Sequence, residues 1–176
     1  YGSGNSGTTN VLRVLGKTRA LLTFLGDALK SFVPVLIVKF VLCPAVPDLN
    51  AELIQLVTGF AAVMGHDYPV FLKFKGGKGI AATAGLLLSF DLRLTLVAAI
   101  VFLAVFFLTH YVSLGSLLVY VVFVAGIIIM GQNGQFTGMS QANIYEMYVL
   151  AILLAILAYY KHWPNILRLI HGNENK

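Results

Sequence analysis

Charge and cysteine are what this chain of 176 residues has least of. Lys, Arg, Asp and Glu make up 11% of it and hydrophobic residues 59%, where a soluble domain averages ~25% and about 45–50%. With a mean hydropathy of +0.86, this excludes a soluble globular domain and describes an integral membrane protein. The single cysteine, Cys43, rules out an intrachain disulfide and reads as a small buried thiol. The histidines at 66, 110, 162 and 171 stand singly, without metal-ligand spacing. No nucleophile-elbow pattern accompanies any serine. Charges inside the apolar stretches are few (Asp27, Lys30 and Glu146), and no pair of interrupted helices recurs in two halves, which weighs against an anion transporter or channel. No signal peptide is visible. The chain begins at Tyr1 and enters a polar motif at once, so a preceding segment is expected.

What the chain does have is long apolar runs. Stretches at 19–43, 51–64, 80–90, 94–109, 112–130 and 144–160 predict an all-α polytopic membrane protein with six transmembrane segments in one domain spanning 1–176. Pro34 is expected to kink the first, where Asp27 and Lys30 share a helix face and neutralise each other. Residues 1–18, 43–50 and 131–143 read as loops, and His110-Tyr111 as a tight turn. Alternation puts Arg13, Lys17, Lys73, Lys75, Lys78, Lys161, Arg168 and Lys176 on one side, against Arg93 with Lys39 nearby on the other. By the positive-inside rule the first side is cytoplasmic. The net charge of +5 is therefore read as orientation and headgroup contact, with no nucleic-acid partner.

Three polar segments converge on that side. In 65–83, GHDYPVFLKFKGGKGIAAT, the turn Lys75-Gly76-Gly77-Lys78-Gly79 opens into a helix at Ile80. Backbone N–H groups from Gly76 to Gly79, the helix dipole and the lysines suit a phosphate. An ordinary basic cytoplasmic loop is the alternative. The short apolar stretches on either side suggest that this loop is recessed below the headgroup plane. In the head, Gly2-x-Gly4-x-x-Gly7 matches a dinucleotide fingerprint formally but lacks the preceding strand. Ser3, Asn5, Thr8, Thr9 and Asn10 nevertheless gather small hydrogen-bonding groups ahead of Arg13, a fork-shaped phosphate donor. A helix-capping loop explains the same residues equally well. The tail contains a short amphipathic turn around Ile166, Leu167, Leu169 and Ile170.

GSGNSGTTNVLR at 2–13, the 65–83 segment, and His162-x-x-Asn165-Ile166-x-Arg168-Leu169-x-x-Gly172-x-Glu174 resemble the three motifs of the bacterial acyl-phosphate:glycerol-3-phosphate acyltransferases, the PlsY family. The resemblance covers essentially the whole chain. It implies a seven-helix inner-membrane enzyme with a cytoplasmic-side site, here without the helix that precedes the GSGN motif. It departs from the family pattern at Trp163-Pro164, where an Arg commonly follows the histidine, and in a longer loop at 131–143.

The implied reaction moves a fatty acyl group from acyl-phosphate to the first hydroxyl of glycerol 3-phosphate, giving lysophosphatidic acid and phosphate. An acyl phosphate is an activated mixed anhydride, so holding two dianions together and neutralising the leaving phosphate suffices. Direct transfer is favoured over a covalent route through Ser3 or Ser113. The resemblance implies catalytic roles for Ser3, Arg13, Lys75, Ser113, His162 and Asn165, and a glycerol 3-phosphate site in the glycine loop. Asn5, Thr9, Asn10, His66, Gly76, Gly77, Lys78 and Gly79 are the expected substrate- and phosphate-binding residues, although a lone His66 more often makes a helix-end hydrogen bond. Glu174 is expected to be structural, pinning the tail to an Arg or Lys. No cofactor or metal is expected. The partners are the two substrates, the lipid bilayer, and a soluble enzyme that supplies acyl-phosphate.

Overall fold

The computed structural model describes Gly2 and residues 4–175, all of them in helices, turns or irregular links. Contacts divide the chain into two compact units, Tyr1–Phe90 and Asp91–Lys176.

In the first unit, α1 (Thr8–Leu15) occupies part of the head that was expected to be a loop. Val11, Leu12, Val14 and Leu15 repeat at helical spacing, and that periodicity prevails over the weak helix propensity of Thr8, Thr9 and Asn10. Gly16, at φ +83°, ends α1 and allows α2 (Lys17–Ile37) to start at the next residue. The helix continues through a π-helical segment, Val38–Leu42, and a final turn α3 (Cys43–Ala45). Together they form one 29-residue helix, Lys17–Ala45. Pro34 has no N–H, so the Lys30 carbonyl loses its usual partner. The chain answers with a register change just downstream, where the Val38 N–H is shared between the Pro34 and Val35 carbonyls. Pro44 sits in the first turn of α3, where proline is tolerated, so the loop expected from Cys43 begins only after Ala45. Cys43 is half-buried rather than buried.

Helix α4 (Ala51–Asp67) runs three residues beyond the expected apolar stretch, and α5 (Ile80–Phe90) matches it. Between them lie a 3-10 turn at Val70–Leu72 and two left-handed residues, Lys73 and Phe74. Small residues let α2, α4 and α5 close up. A Cβ at Gly85 would overlap the Ala28 carbonyl, and one at Gly59 would overlap the Leu86 side chain. Leu56, Val63, Ala82, Leu86 and Val35 fill the core. Lys39 reaches the end of α5 and donates to the Ser89 and Phe90 carbonyls at 3.2 and 3.3 Å. A cation at a helix C-terminus satisfies acceptors that the helix itself cannot.

The second unit contains α6 (Leu92–Thr109), α7 (Val112–Gln132), α8 (Gln141–Lys161) and α9 (Trp163–Ile170). The tight turn predicted at His110-Tyr111 is present, with His110 at φ +62°. The loop expected at 131–143 is shorter, because α7 extends through Gln132 and Ser140 caps α8 by accepting from the Asn143 N–H. Tyr120, Phe123, Ile127, Met147, Ala151 and Leu154 form the core.

Among the described residues, four helices are long and apolar enough to cross a membrane: Lys17–Ala45, Leu92–Thr109, Val112–Gln132 and Gln141–Lys161. At 1.5 Å per residue, α4 and α5 reach only about 25 and 16 Å of a ~30 Å hydrocarbon core.

Asp91 caps α6, its Oδ1 accepting from the Leu94 N–H at 2.9 Å while Oδ2 pairs with Arg93 at 3.2 Å. Burial opposes ionisation of this carboxyl, but the Leu94 bond and the Arg93 guanidinium outweigh it and hold Asp91 below the usual carboxylate range. A lowered native-state value means that the stabilisation is complete above the unfolded-state value and fades as pH falls through the native one. Asp91→Ala should cost about 1 kcal/mol. It should lower the thermal midpoint in detergent at neutral pH, with the gap to wild type closing only in acid.

Candidate functional site

The glycine loop takes its shape from the helix before it. The Gly76 N–H donates to the Asp67 carbonyl at 3.2 Å, and the Gly77 N–H to the His66 carbonyl at 3.3 Å. The loop therefore lies back on the last turn of α4, covering carbonyls that the helix leaves unpaired. A Cβ at Gly76 would overlap the His66 carbonyl, and one at Gly77 would overlap the His66 Nε2. Gly79 adopts φ +76°, and a Cβ there would stand 3.1 Å from Asp67 Oδ1. The backbone N–H groups from Gly76 to Gly79 were expected to suit a phosphate. Two of the four are committed to α4, and the electropositive end of α5 opens immediately after them at Ile80.

His66 is held from its other side. Its Nδ1 lies 3.4 Å from Asp27 Oδ1 on α2, and Lys30 Nζ meets the same oxygen at 2.6 Å. The Asp27–Lys30 pair is the one expected from their spacing. The side chains of His66 and Asp27 are 7% and 9% exposed, whereas that of Lys30 is 55% exposed. The carboxylate thus links a sealed imidazole to a wet ammonium. With Nδ1 facing Asp27, Nε2 faces the Cα of Gly77, and the imidazole is wedged between α2 and the loop. Sequence reasoning assigned Asp27 only to Lys30. Asp67, 1% exposed beside Gly79, was missed as well. An acidic residue next to a predicted helix end, two positions before a proline, was the available signal.

Lys75 is exposed and Lys78 half-buried on the loop, and Arg13 is exposed in the last turn of α1. In the head, Asn5 Oδ1 accepts from the Gly7 N–H at 2.7 Å, and Asn10 Nδ2 donates to the Asn5 carbonyl at 2.8 Å. Both asparagines therefore shape the entry to α1. Thr9 stands in its first turn. Ser3 lies outside the described residues.

In the second unit the predicted residues gather around Glu174, which the fold returns to α7 and α9. Its Oε1 accepts from Asn165 Nδ2 at 2.7 Å and from Ser113 Oγ at 3.2 Å, and its Oε2 pairs with Arg168 Nε at 2.7 Å. Ser113, Asn165 and Glu174 are all buried. His162, 3% exposed, places Nδ1 2.8 Å from the Ala158 carbonyl. A carbonyl can only accept, so Nδ1 carries a hydrogen and donates it there. Arg168, read in the sequence as a cytoplasmic charge and as part of the tail motif, is the ion-pair partner of Glu174. Among the described residues no three His, Cys, Asp or Glu side chains gather into a metal-binding group.

Glu174→Ala should leave the buried Asn165 amide and Ser113 hydroxyl without their shared acceptor, at roughly 1–3 kcal/mol. The expected result is a lower thermal midpoint and faster proteolysis after Lys161. Glu174→Gln, which keeps an acceptor oxygen, should show a smaller effect on both.

A glycerol-3-phosphate acyltransferase family profile matches residues 1–172. The glycerol-3-phosphate acyltransferase of Thermoanaerobacter sp. (strain X514) is 41% identical over 176 residues, covering all of this chain and 79% of the relative. That of Bartonella quintana (strain Toulouse) is 39% identical over 175 residues, covering 99% and 76% respectively. Among solved structures, the chain is similar to the crystal structure of PlsY (YgiH), an integral membrane glycerol 3-phosphate acyltransferase, in its glycerol 3-phosphate form. That match has a TM-score of 0.79 and 35% identity over 99% of this chain and 79% of that one. The lysophosphatidic acid form of the same protein gives a TM-score of 0.78. The chain belongs to the glycerol-3-phosphate acyltransferase family, and it is a membrane acyltransferase.

Proposed function

We propose that this protein transfers a fatty acyl group from acyl-phosphate to the sn-1 hydroxyl of glycerol 3-phosphate, releasing lysophosphatidic acid and phosphate as the first step of phospholipid synthesis. The observation that carries this reading is the glycine loop seated on α4, with α5 opening directly after it and Lys75 and Lys78 on its flank. In the reaction the glycerol hydroxyl oxygen attacks the acyl carbon, the bond from that carbon to the phosphate oxygen breaks, and phosphate departs with its electron pair. A substrate phosphate takes the hydroxyl proton. No side chain need form a covalent intermediate, because the anhydride is already activated; neutralising charge and holding the two substrates in place are what the protein supplies.

In this reading Gly76, Gly77, Lys78 and Gly79 with the first turn of α5 hold glycerol 3-phosphate, and His66 keeps Gly77 in position. Ser3, Arg13 and Lys75 act on the transferring phosphate. Ser113, His162 and Asn165 contact substrate, with Glu174 as their support. Asn5, Thr9 and Asn10 shape and line the head. The 176 residues are read as a single membrane acyltransferase domain. Six segments cross the inner membrane of a bacterial cell, with α4 and α5 as short members that leave the glycine loop recessed on the cytoplasmic side. A soluble enzyme on that side delivers the acyl-phosphate.

Membranes carrying the intact protein, given acyl-phosphate and labelled glycerol 3-phosphate, should form lysophosphatidic acid without coenzyme A. Absence of product, together with phosphate flux across sealed vesicles, would replace this reading with a transporter. Gly77→Ala places a methyl group on the His66 ring. It should raise the apparent KM for glycerol 3-phosphate roughly 10-fold, with a smaller change in kcat, since sub-ångström displacement of a positioning loop is enough to cost that much. Steady-state kinetics on the variant check this, and an unchanged KM would count against a phosphate role for the loop.

A further inference from the structure

Helix α9 is amphipathic in the sense opposite to that of a helix at a water-facing surface. Asn165 is buried on its inner side, and Arg168 turns to Glu174. Trp163, Leu167 and Ile170, at positions i, i+4 and i+7, form one stripe and are 57%, 41% and 74% exposed. In water this arrangement buries Asn165 and wets the large apolar side chains. Against acyl chains it is favourable on both faces.

The position of the helix names the occupant of that stripe. Only His162 separates α9 from α8, which ends at Lys161 and is long and apolar enough to span a membrane. The helix therefore starts at a bilayer boundary and extends about 12 Å from it or along it. Trp163 stands at that boundary, where the indole ring is favoured for its apolar body and polar N–H. Lys161, the last residue of α8, supplies positive charge at that boundary, complementary to anionic headgroups.

We infer that α9 is an interfacial anchor. Its Trp163–Leu167–Ile170 stripe lies in the headgroup–acyl boundary of an anionic lipid bilayer, and Lys161 contacts the headgroups. Because the opposite face carries Asn165 and Arg168, the two groups that hold Glu174, membrane contact on one side of α9 orders the Ser113–Glu174–Asn165 cluster on the other. The inference rests on α8 being a membrane span and is independent of which acyl donor is used.

Trp163 is the only tryptophan in the chain, so its fluorescence reports this helix alone. The full chain is placed in bilayers of phosphatidylcholine and phosphatidylglycerol carrying bromine either near the headgroup end of the acyl chain or near its terminal methyl. An interfacial helix inserts ~5–10 Å, so headgroup-end bromine should quench Trp163 emission by about half or more, and chain-end bromine less. Ile170→Asp should abolish that difference, shift emission to the red and speed proteolysis of the tail, whereas Ile170→Leu should behave as wild type. Strong quenching by aqueous acrylamide with none by brominated lipid would overturn the inference, because the stripe would then face water. Shielding from both quenchers would overturn it too, because a second protein copy would then cover the stripe. If Ile170→Asp fails to fold, the wild-type bromine comparison decides the question by itself.

Discussion

Two backbone hydrogen bonds, from Gly76 to the Asp67 carbonyl and from Gly77 to the His66 carbonyl, set the geometry on which the first unit depends. They let a loop rich in glycine and lysine lie directly on the end of α4, and that contact dictates why glycine must occupy positions 76 and 77. The His66 ring is the floor under Gly77, and Asp27 on α2 fixes the ring from behind. A single line of contact thus runs from Lys30 through Asp27 and His66 to the loop that precedes α5. Any side chain larger than hydrogen at position 77 presses on this line, so the loop's composition is a packing requirement before it is a ligand requirement.

The second unit uses a different device for the same purpose. One carboxylate, Glu174, collects a hydroxyl from α7 and an amide and a guanidinium from α9. The three donors come from two helices, α7 and α9, and the carboxylate gives them a common reference point. Because Ser113 and Asn165 are buried, the cost of breaking this cluster lies in stranded polar groups rather than in lost Coulomb attraction. Arg168 remains partly wet, so its ion pair adds less than its short distance suggests.

Both units show how an apolar environment disciplines backbone polarity. Lys39 caps the end of α5, a register change at Val38–Leu42 follows Pro34, and Asp91 and Ser140 cap α6 and α8. Where water is scarce an unpaired carbonyl or N–H is costly, and side chains that look misplaced in an apolar run have found a helix end to serve. Lys39 reads in the sequence as a stray charge near a loop, and its partners lie fifty residues further along the chain.

Membrane class, helical content and the approximate position of each apolar stretch follow from composition and periodicity, because a lipid solvent leaves few alternatives to the helix. The Asp27–Lys30 pair, the His110 turn and the start of α5 at Ile80 were legible for the same reason: each is a local pattern within a few residues. Family membership was legible from motifs that keep residue identity and spacing. Local pattern misled at 1–18, where amphipathic spacing in Val11–Leu15 prevailed over small polar residues, and at Pro44, which a first helical turn accommodates. Tertiary structure alone decided that His66 meets Asp27, that Gly76 and Gly77 spend their N–H groups on α4, and that α9 turns its polar face inward. Each of these depends on contacts between segments far apart in the chain. No spacing rule reaches that distance, because the partners are chosen by how helices pack and not by where residues fall in order.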